Sequence, residues 1–319
     1  MSIPLHIPHI IRKLNNSLPP EKRLIILKYY KRVNSNRKFS ILAEWTRFCN
    51  LSCPICDIGS PRMRPAGHMS LDLWEKILYD CKKYNMFVDW THSIGEPLLW
   101  ENLEKGIKMW KDSGLSKYGH ISTNGILLDE GKAEIIKNSG IEFIRICLDT
   151  LDENLYRELR ANEYHQRIIQ NIRNFIKIAP NIRTQVTLMK TAKNFDESPE
   201  TIKKLFDNKI EVFQTTLLKT SHSKNIQDLV SGKAERQKSN ICPKVFYEHC
   251  VISWDGYVTL CCFDTLLLNK VGKLSERTNL KDMYLSKAAD KIRKEILRGD
   301  FSHAPACKEC SMDFMNDFV

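Results

Sequence analysis

The chain has no apolar run approaching the about 20 residues that a bilayer-spanning helix needs. Its opening residues, Met-Ser-Ile-Pro-Leu-His-Ile-Pro, lack the basic-then-apolar order of a secretory leader. Its eleven cysteines are therefore expected to stay reduced in the cytoplasm rather than to form a disulfide framework. Internal repeats and low-complexity tracts are absent, apart from one strand–helix periodicity. No nucleic-acid module is visible, and no single basic tail accounts for the formal charge of +11. That charge is spread through lysine-rich helices and reads as solvated surface, with nucleic acid not expected as a partner and an anionic substrate favoured.

The 319 residues, 42% of them hydrophobic, suffice for one large domain or a domain with an appendage. Residues 1–38 form a basic segment in which Pro4–Asn15 and Glu21–Arg37 carry Ile10, Ile11, Leu24 and Tyr29 among Lys and Arg. It reads as helix lying on its own domain, although a membrane-surface helix has the same look. From residue 39 strands and helices alternate. Strands are expected at 41–47, 87–92, 118–122, 143–149, 183–189 and 211–215, with helices at 70–84, 101–113, 129–139, 153–178 and 198–208. Six such starts predict a partial (β/α)6 TIM-like barrel over 39–216, with its site at the C-terminal ends of the strands. Polar residues 217–241 read as a linker, and 242–319 as a small hairpin-plus-helix extension.

Chemistry concentrates in Arg47-Phe-Cys-Asn-Leu-Ser-Cys-Pro-Ile-Cys56, at the end of the first strand. A loop spaced C-x3-C-x2-C wraps three thiolates, Cys49, Cys53 and Cys56, around one centre. A structural zinc closes its tetrahedron with four protein ligands, and iron–sulfur clusters are held by four thiolates. Three thiolates leave one position open, which suits a reactive centre; a zinc site with a distant fourth ligand and three packed thiols are the plainer alternatives.

This loop, with the strand ends after it, resembles the radical S-adenosylmethionine (radical SAM) enzymes. The resemblance implies a [4Fe-4S] cluster whose open iron binds S-adenosyl-L-methionine, reductive cleavage to a 5′-deoxyadenosyl radical, and an external donor such as flavodoxin or ferredoxin. Ser93-Ile-Gly-Glu-Pro97 is similar to the family's Gly-Gly-Glu-Pro segment, with Ile94 in place of the first glycine, and marks Gly95 and Glu96 as cofactor contacts. Ser122-Thr-Asn-Gly125 is similar to its Thr-Asn-Gly turn and marks Ser122 and Asn124. Alternation puts Arg145, Cys147 and Asp149 on one face of the fourth strand, expected to line the lumen. Cys147 stands where the family usually has serine, and Arg160 matches an arginine that often follows, with Arg157 and Arg167 as rivals.

A second thiol set lies beyond the linker. Cys242-x13-Gly256-x4-Cys261 resembles the opening of the family's SPASM and Twitch extensions, with a hairpin turn at Trp254-Asp-Gly256, a helix over 280–298 and a closing Cys307-Lys-Glu-Cys310. The resemblance implies a second [4Fe-4S] cluster on Cys242, Cys261, Cys307 and Cys310. Zinc suits four thiolates equally, and Cys250 and Cys262 are spare thiols able to enter the set. No cysteine follows Cys310, so one auxiliary cluster is expected rather than two.

These features lead to the expectation of a radical SAM oxidoreductase that oxidises a carbohydrate or aminocyclitol-like alcohol, the auxiliary cluster accepting an electron. Maturation of a ribosomal peptide by crosslinking or epimerisation is the enzymatic alternative. A non-catalytic cluster-binding scaffold or sensor is the other.

Overall fold

A computed structural model of the chain describes residues 39–60, 62–217, 229, 244–246, 249–299 and 301–310. The expected basic segment 1–38, most of the 217–241 linker, Cys242 and the residues after Cys310 lie outside the described residues.

Strands β1 (Phe39–Ala43), β2 (Met86–Trp90), β3 (His120–Thr123), β4 (Phe143–Asp149), β5 (Arg183–Lys190) and β6 (Glu211–Thr216) lie side by side in chain order, each parallel to the next. Parallel neighbours require a crossover. Helices α1 (Leu71–Lys83), α2 (Leu103–Asp112), α3 (Glu130–Lys137), α4 (Glu153–Arg160), α5 (His165–Ile178) and α6 (Pro199–Leu205) supply it. Ser70, Asp129, Asp152 and Ser198 each accept a hydrogen bond from a backbone N–H of the helix they start, satisfying donors that the helix itself leaves open. In β4 the expected alternation is present: Ile144, Ile146 and Leu148 are fully buried toward the helices, while Arg145 and Cys147 are half-buried on the opposite face.

The parallel sheet is open and barrel-like, as expected, and the extension joins its β1 edge. Strand β7 (His249–Ile252) pairs parallel to β1, and β8 (Tyr257–Thr259) and β9 (Lys270–Lys273) continue antiparallel, giving the order 6-5-4-3-2-1-7-8-9. Strand β9 was not expected; its short Lys-Val-Gly-Lys sequence carries little pattern. The helix expected over 153–178 breaks after Arg160, where Ala161 takes a left-handed conformation (φ +53°). Likewise the helix over 280–298 is two, α7 (Leu280–Tyr284) and α8 (Lys287–Arg298), because Ser286 caps Ala289 N–H and starts a new helix. A last short helix, α9, spans Pro305–Glu309.

Behind the root of the cysteine loop four tryptophans interlock. Trp45 stacks on Trp100 at 4.8 Å and meets Trp74 and Trp110 edge-on at 5.5 and 5.7 Å. Trp74 and Trp100 donate their indole N–H groups to the carbonyls of Gly106 and Met69. Gly106 is required there, since a Cβ would sit 2.0 Å from the Trp100 ring. Aromatic rings of this size bury roughly 150–250 Å² each, so the loop springs from one of the most densely buried parts of the molecule.

Candidate functional site

Cys49, Cys53 and Cys56 leave β1 on a loop that turns through a Cys56 N–H to Cys53 C=O bond of 3.1 Å. Cys53 is buried and the other two are half-buried. Burial, with smaller contributions from the nearby Glu96, Cys53 and Cys56, pushes the Cys49 thiol up to about 12. Cys56 is raised in the same way, by burial and then by Cys53. A cationic centre draws off the protons of the thiols that ligate it. Among the described residues, no three Cys, His, Asp or Glu side chains converge as ligands of a single metal ion. A crowded donor set of three thiols fits a cluster, whose irons are spread over several positions.

The ends of β2 and β3 are laced to this loop. Gly95 (φ +107°) passes so close that a Cβ would lie 2.4 Å from the Thr46 carbonyl oxygen, and Glu96 N–H donates to the Phe48 carbonyl at 2.8 Å. The Glu96 carboxylate is buried and accepts from Thr123 Oγ1 (2.7 Å), Asn124 N–H (2.8 Å) and Leu98 N–H (3.1 Å). Burial raises its pKa against those three donors. Asn124 in turn donates from Nδ2 to Asn50 Oδ1 at 2.8 Å, clasping the loop between Cys49 and Cys53. Glu96 and Asn124 therefore join strand end to strand end and strand end to loop. Gly95→Ala is expected to cost about 1–3 kcal/mol in backbone strain alone, with the clash added. It should lower both the thermal midpoint and the iron retained after reconstitution; a wild-type iron content would show that the loop tolerates displacement.

Arg160 ends α4, which packs Leu155 and Leu159 with Leu217 and Leu229 against Ile55 of the cysteine loop. Its guanidinium grips the buried Asp149 carboxylate at 2.5 and 2.6 Å and lies 3.9 Å from the Cys53 sulfur. Asp149 accepts a further bond from Thr187 Oγ1 at 2.6 Å and holds a left-handed backbone (φ +72°) beside an irregularity in the β4–β5 pairing. Arg157 pairs instead with exposed Glu163 at 3.4 Å, and the Arg167 guanidinium lies over the Tyr164 ring at 5.9 Å. Only Arg160 of the three expected candidates touches the cysteine loop. Ser122 is buried with its hydroxyl unpartnered, and Cys147 lies beside it in the lumen wall, pushed up to about 11 by burial.

In the extension, Asp264 organises the loop that carries Cys261 and Cys262. Its carboxylate accepts from Leu268 N–H, Asn269 N–H and Thr259 Oγ1 at 2.8 to 2.9 Å. The Asn269 amide then meets the Cys307 sulfur at 3.2 Å and Ala306 N–H at 3.1 Å, drawing this loop to the final helix and Cys310. Cys250 does not belong to this group: it is fully buried in β7, with the buried Cys81 thiol as an electrostatic neighbour. The spare-thiol expectation fails for it because strand pairing with Ile41 holds it in the core. Its burial matches that of Cys81, which sits in α1.

A family model described as the radical SAM superfamily matches residues 43–205, and one described as the SPASM iron–sulfur cluster-binding domain matches 242–311. The chain belongs to the radical SAM superfamily. With its SPASM match, membership implies [4Fe-4S] clusters as cofactors.

Among curated relatives of this radical SAM protein, the PqqA peptide cyclase of Gluconobacter oxydans is 29% identical over 114 residues, 36% of this chain and 31% of that one. A probable GTP 3′,8-cyclase of Methanocaldococcus jannaschii is 28% identical over 145 residues, 44% of this chain and 46% of that one. The matched stretches thus span less than half of these relatives. Among solved structures, SuiB of Streptococcus suis bound to S-adenosylmethionine is similar with a TM-score of 0.60 at 18% identity, covering 80% of this chain and 68% of that one. BtrN in complex with AdoMet and 2-DOIA gives 0.55 at 17%, covering 89% and 99%. The structure of anSMEcpe with bound AdoMet gives 0.63 at 14%, covering 82% and 81%. At such identities these likenesses establish the shared fold. No helix among the described residues is long and apolar enough to cross a membrane.

The thiols, the strand-end motifs and Arg160 were legible in the sequence. Asn50, Thr123, Asp264 and Asn269 were not. Asn50, Thr123 and Asn269 each act through a side-chain hydrogen bond to a residue 27 to 74 positions away, and such a partner leaves no local pattern; Asp264 acts within its own loop, on residues four and five positions away, through a turn that no spacing announces.

Proposed function

We propose that the chain is a radical SAM enzyme that modifies a peptide, by crosslinking or another oxidation at an unactivated C–H bond. The observation that carries this reading is the likeness to SuiB bound to its precursor peptide SuiA, which runs through 85% of this chain at a TM-score of 0.60. The relation to a peptide cyclase over 114 residues supports it, as does the likeness to anSMEcpe bound to AdoMet and a Kp18Cys peptide. Peptide maturation therefore stands ahead of the carbohydrate oxidation expected from sequence.

Cys49, Cys53 and Cys56 would hold the first cluster, and S-adenosylmethionine bound to it supplies the hydrogen-abstracting chemistry when reduced by an external flavodoxin or ferredoxin. Arg160, fixed by Asp149, offers a planar fork suited to the cofactor's carboxylate. Gly95 and Glu96 set the strand end on which an ammonium group can rest, with Glu96 acting chiefly through the bonds that position Thr123 and Asn124. Ser122, Asn124 and Cys147 complete the wall that orients the cofactor and excludes water. Cys242, Cys261, Cys307 and Cys310 would hold an auxiliary cluster in a domain of residues 242–319, beyond the barrel of 39–216 and the linker of 217–241. The basic segment 1–38 is suited to contact its own domain or the substrate.

A second reading, oxidation of an aminocyclitol-like alcohol, has its own support. The likeness to BtrN with 2-DOIA covers 99% of that chain. Anaerobic reconstituted protein given S-adenosylmethionine and strong reductant, with either a peptide library or a panel of aminocyclitols, separates the two. Peptide modification predicts 5′-deoxyadenosine above the substrate-free rate together with peptides lighter by two hydrogen atoms. Stimulation by an aminocyclitol alone would overturn it.

A further inference from the structure

We propose that the lumen of the partial barrel holds a carboxylate-binding site, built around Arg145, that anchors an acidic group of the substrate below the cofactor. This rests on the reading that the lumen receives substrate, and it names the chemistry by which the substrate is held.

The site is assembled from β2, β3, β4 and the segment after β2. The Arg145 guanidinium lies 3.9 Å from the centre of the Phe213 ring, 5.4 Å from Phe143 and 5.7 Å from Trp90. Its hydrogen bonds go to the neutral Gln185 amide oxygen at 3.0 and 3.2 Å, and among the described residues no carboxylate is bound to this half-buried cation. Ser122 is its register neighbour on β3. Trp90 packs against His92 at 5.1 Å and His120 at 5.3 Å, and His120 stacks on Phe143 at 4.3 Å. Arg145, Trp90, His92, His120 and Ser122 are thereby drawn into one patch with the Phe143 and Phe213 rings.

Four of them present buried polar atoms that find no hydrogen-bond partner among the described residues: Trp90 Nε1, His92 Nδ1, His120 Nε2 and Ser122 Oγ. Ser122 is 2% exposed and His120 5%. An orphaned buried polar group costs about 1–3 kcal/mol, and four beside a guanidinium held only by a neutral amide would be a heavy burden on a site meant to stay empty. None of these groups carries a negative charge; Trp90 Nε1 and Ser122 Oγ donate, His92 Nδ1 donates in its Nδ1–H tautomer, and His120 Nε2 donates only when the ring proton sits there rather than on the Nδ1 that faces Asp89. Burial, then His120, Arg145 and Arg160, lower His92 to about 3, so its imidazole is neutral at physiological pH and Arg145 supplies the fixed charge. The nearest acid, Asp89, is half exposed at the rim and 3.5 Å from the other nitrogen of His120. Glu211 is engaged by Arg183 and by the Gln185 amide N–H. A cation framed by neutral donors and flanked by aromatic faces matches a carboxylate with an apolar stem.

The position is productive for chemistry. Along β4, Cys147 stands about 7 Å beyond Arg145 and Asp149 about 13 Å, at the usual strand rise. Asp149 carries the arginine that touches Cys53. A substrate whose carboxylate rests on Arg145 therefore extends past Cys147 toward the strand ends, with its stem directed at the cysteine loop.

The test is binding of glutarate and of its neutral analogue glutaramide to the reconstituted full chain, followed by calorimetry. Glutarate should bind at least about tenfold more tightly than glutaramide, as expected for loss of one hydrogen bond to a charged group. Arg145→Met should remove that preference, and Ser122→Ala should weaken glutarate several-fold. Arg157→Met, which removes a surface cation, should change neither. Iron content and circular dichroism establish that each variant is folded. Equal binding of the two probes, or a preference that survives Arg145→Met, would overturn the proposal. The preference is expected whether the enzyme acts on peptides or on small molecules, so its absence and a failure of the peptide reading are distinguishable.

Discussion

Cys53→Ala is expected to abolish formation of 5′-deoxyadenosine, lowering the rate by about a thousandfold or more, equivalent to about 4 kcal/mol of barrier. Cys53 is the buried member of the loop and the one its neighbours are built around. Its sulfur faces the Arg160 guanidinium, and its carbonyl accepts the bond that turns the chain toward Cys56. Removing the thiol should therefore cost both a cluster ligand and the contact that aligns Arg160. Asp149→Asn separates these two effects. It leaves every cysteine in place but withdraws the charge that grips Arg160, and breaking such a buried pair typically costs about 3–5 kcal/mol. Iron content should stay near normal in Asp149→Asn while affinity for S-adenosylmethionine falls, whereas Cys53→Ala should lose iron as well. Undiminished cofactor cleavage by Cys53→Ala would refute the assignment of the loop.

The contrast between what could be read from sequence and what could not follows from the range of the interactions. Strand β4 announced its two faces through strict alternation, and its apolar side proved fully buried. The cysteine loop announced itself through spacing alone. By comparison, the pairing of β7 with β1 joins residues about two hundred positions apart, and nothing in His249–Ile252 distinguishes a strand that extends the barrel from one in a detached hairpin. Helix breaks at Ala161 and Ser286 were missed for a related reason. Both lie in stretches whose hydrophobic spacing continues, and the break depends on a single left-handed residue or a single cap. The lumen cluster was half visible: Arg145 was placed in the lumen, but Trp90, His92 and His120 gather around it only through register and side-chain packing.

The extension is tied to the loop of Cys49, Cys53 and Cys56 by polar contacts across their boundary. Arg64, just beyond the cysteine loop, binds the buried Glu44 carboxylate at 2.8 and 2.9 Å and reaches the Thr265 carbonyl at 3.3 Å. Thr265 Oγ1 donates to Asp57, the residue after Cys56, at 2.8 Å. Trp254 at the hairpin tip covers Gly67, where a Cβ would meet its ring at 2.4 Å. The loop holding Cys261 is thus held against the loop holding Cys56 by short, fixed connections.

Joint replacement of Cys307 and Cys310 by Ala is accordingly expected to eliminate product while some 5′-deoxyadenosine still forms. Four thiolates complete a cluster's protein ligands, so electron transfer rather than substrate ligation is the simplest role for an auxiliary cluster there. Loss of that cluster should leave hydrogen abstraction possible but strand the oxidation halfway. Because Asn269 bonds the Cys307 sulfur and Asp264 holds Asn269, the damage should centre on the 261–269 loop, with Thr265 still able to bond Asp57. Clusters of this type span roughly −700 to +450 mV, so the direction of electron flow needs a measured potential. The decisive control is the Cys49/Cys53/Cys56→Ala triple variant, which should retain about four irons per chain if the second thiol set binds a [4Fe-4S] cluster. Zinc in that variant, with almost no iron, would instead make the extension a structural lid on a one-cluster enzyme.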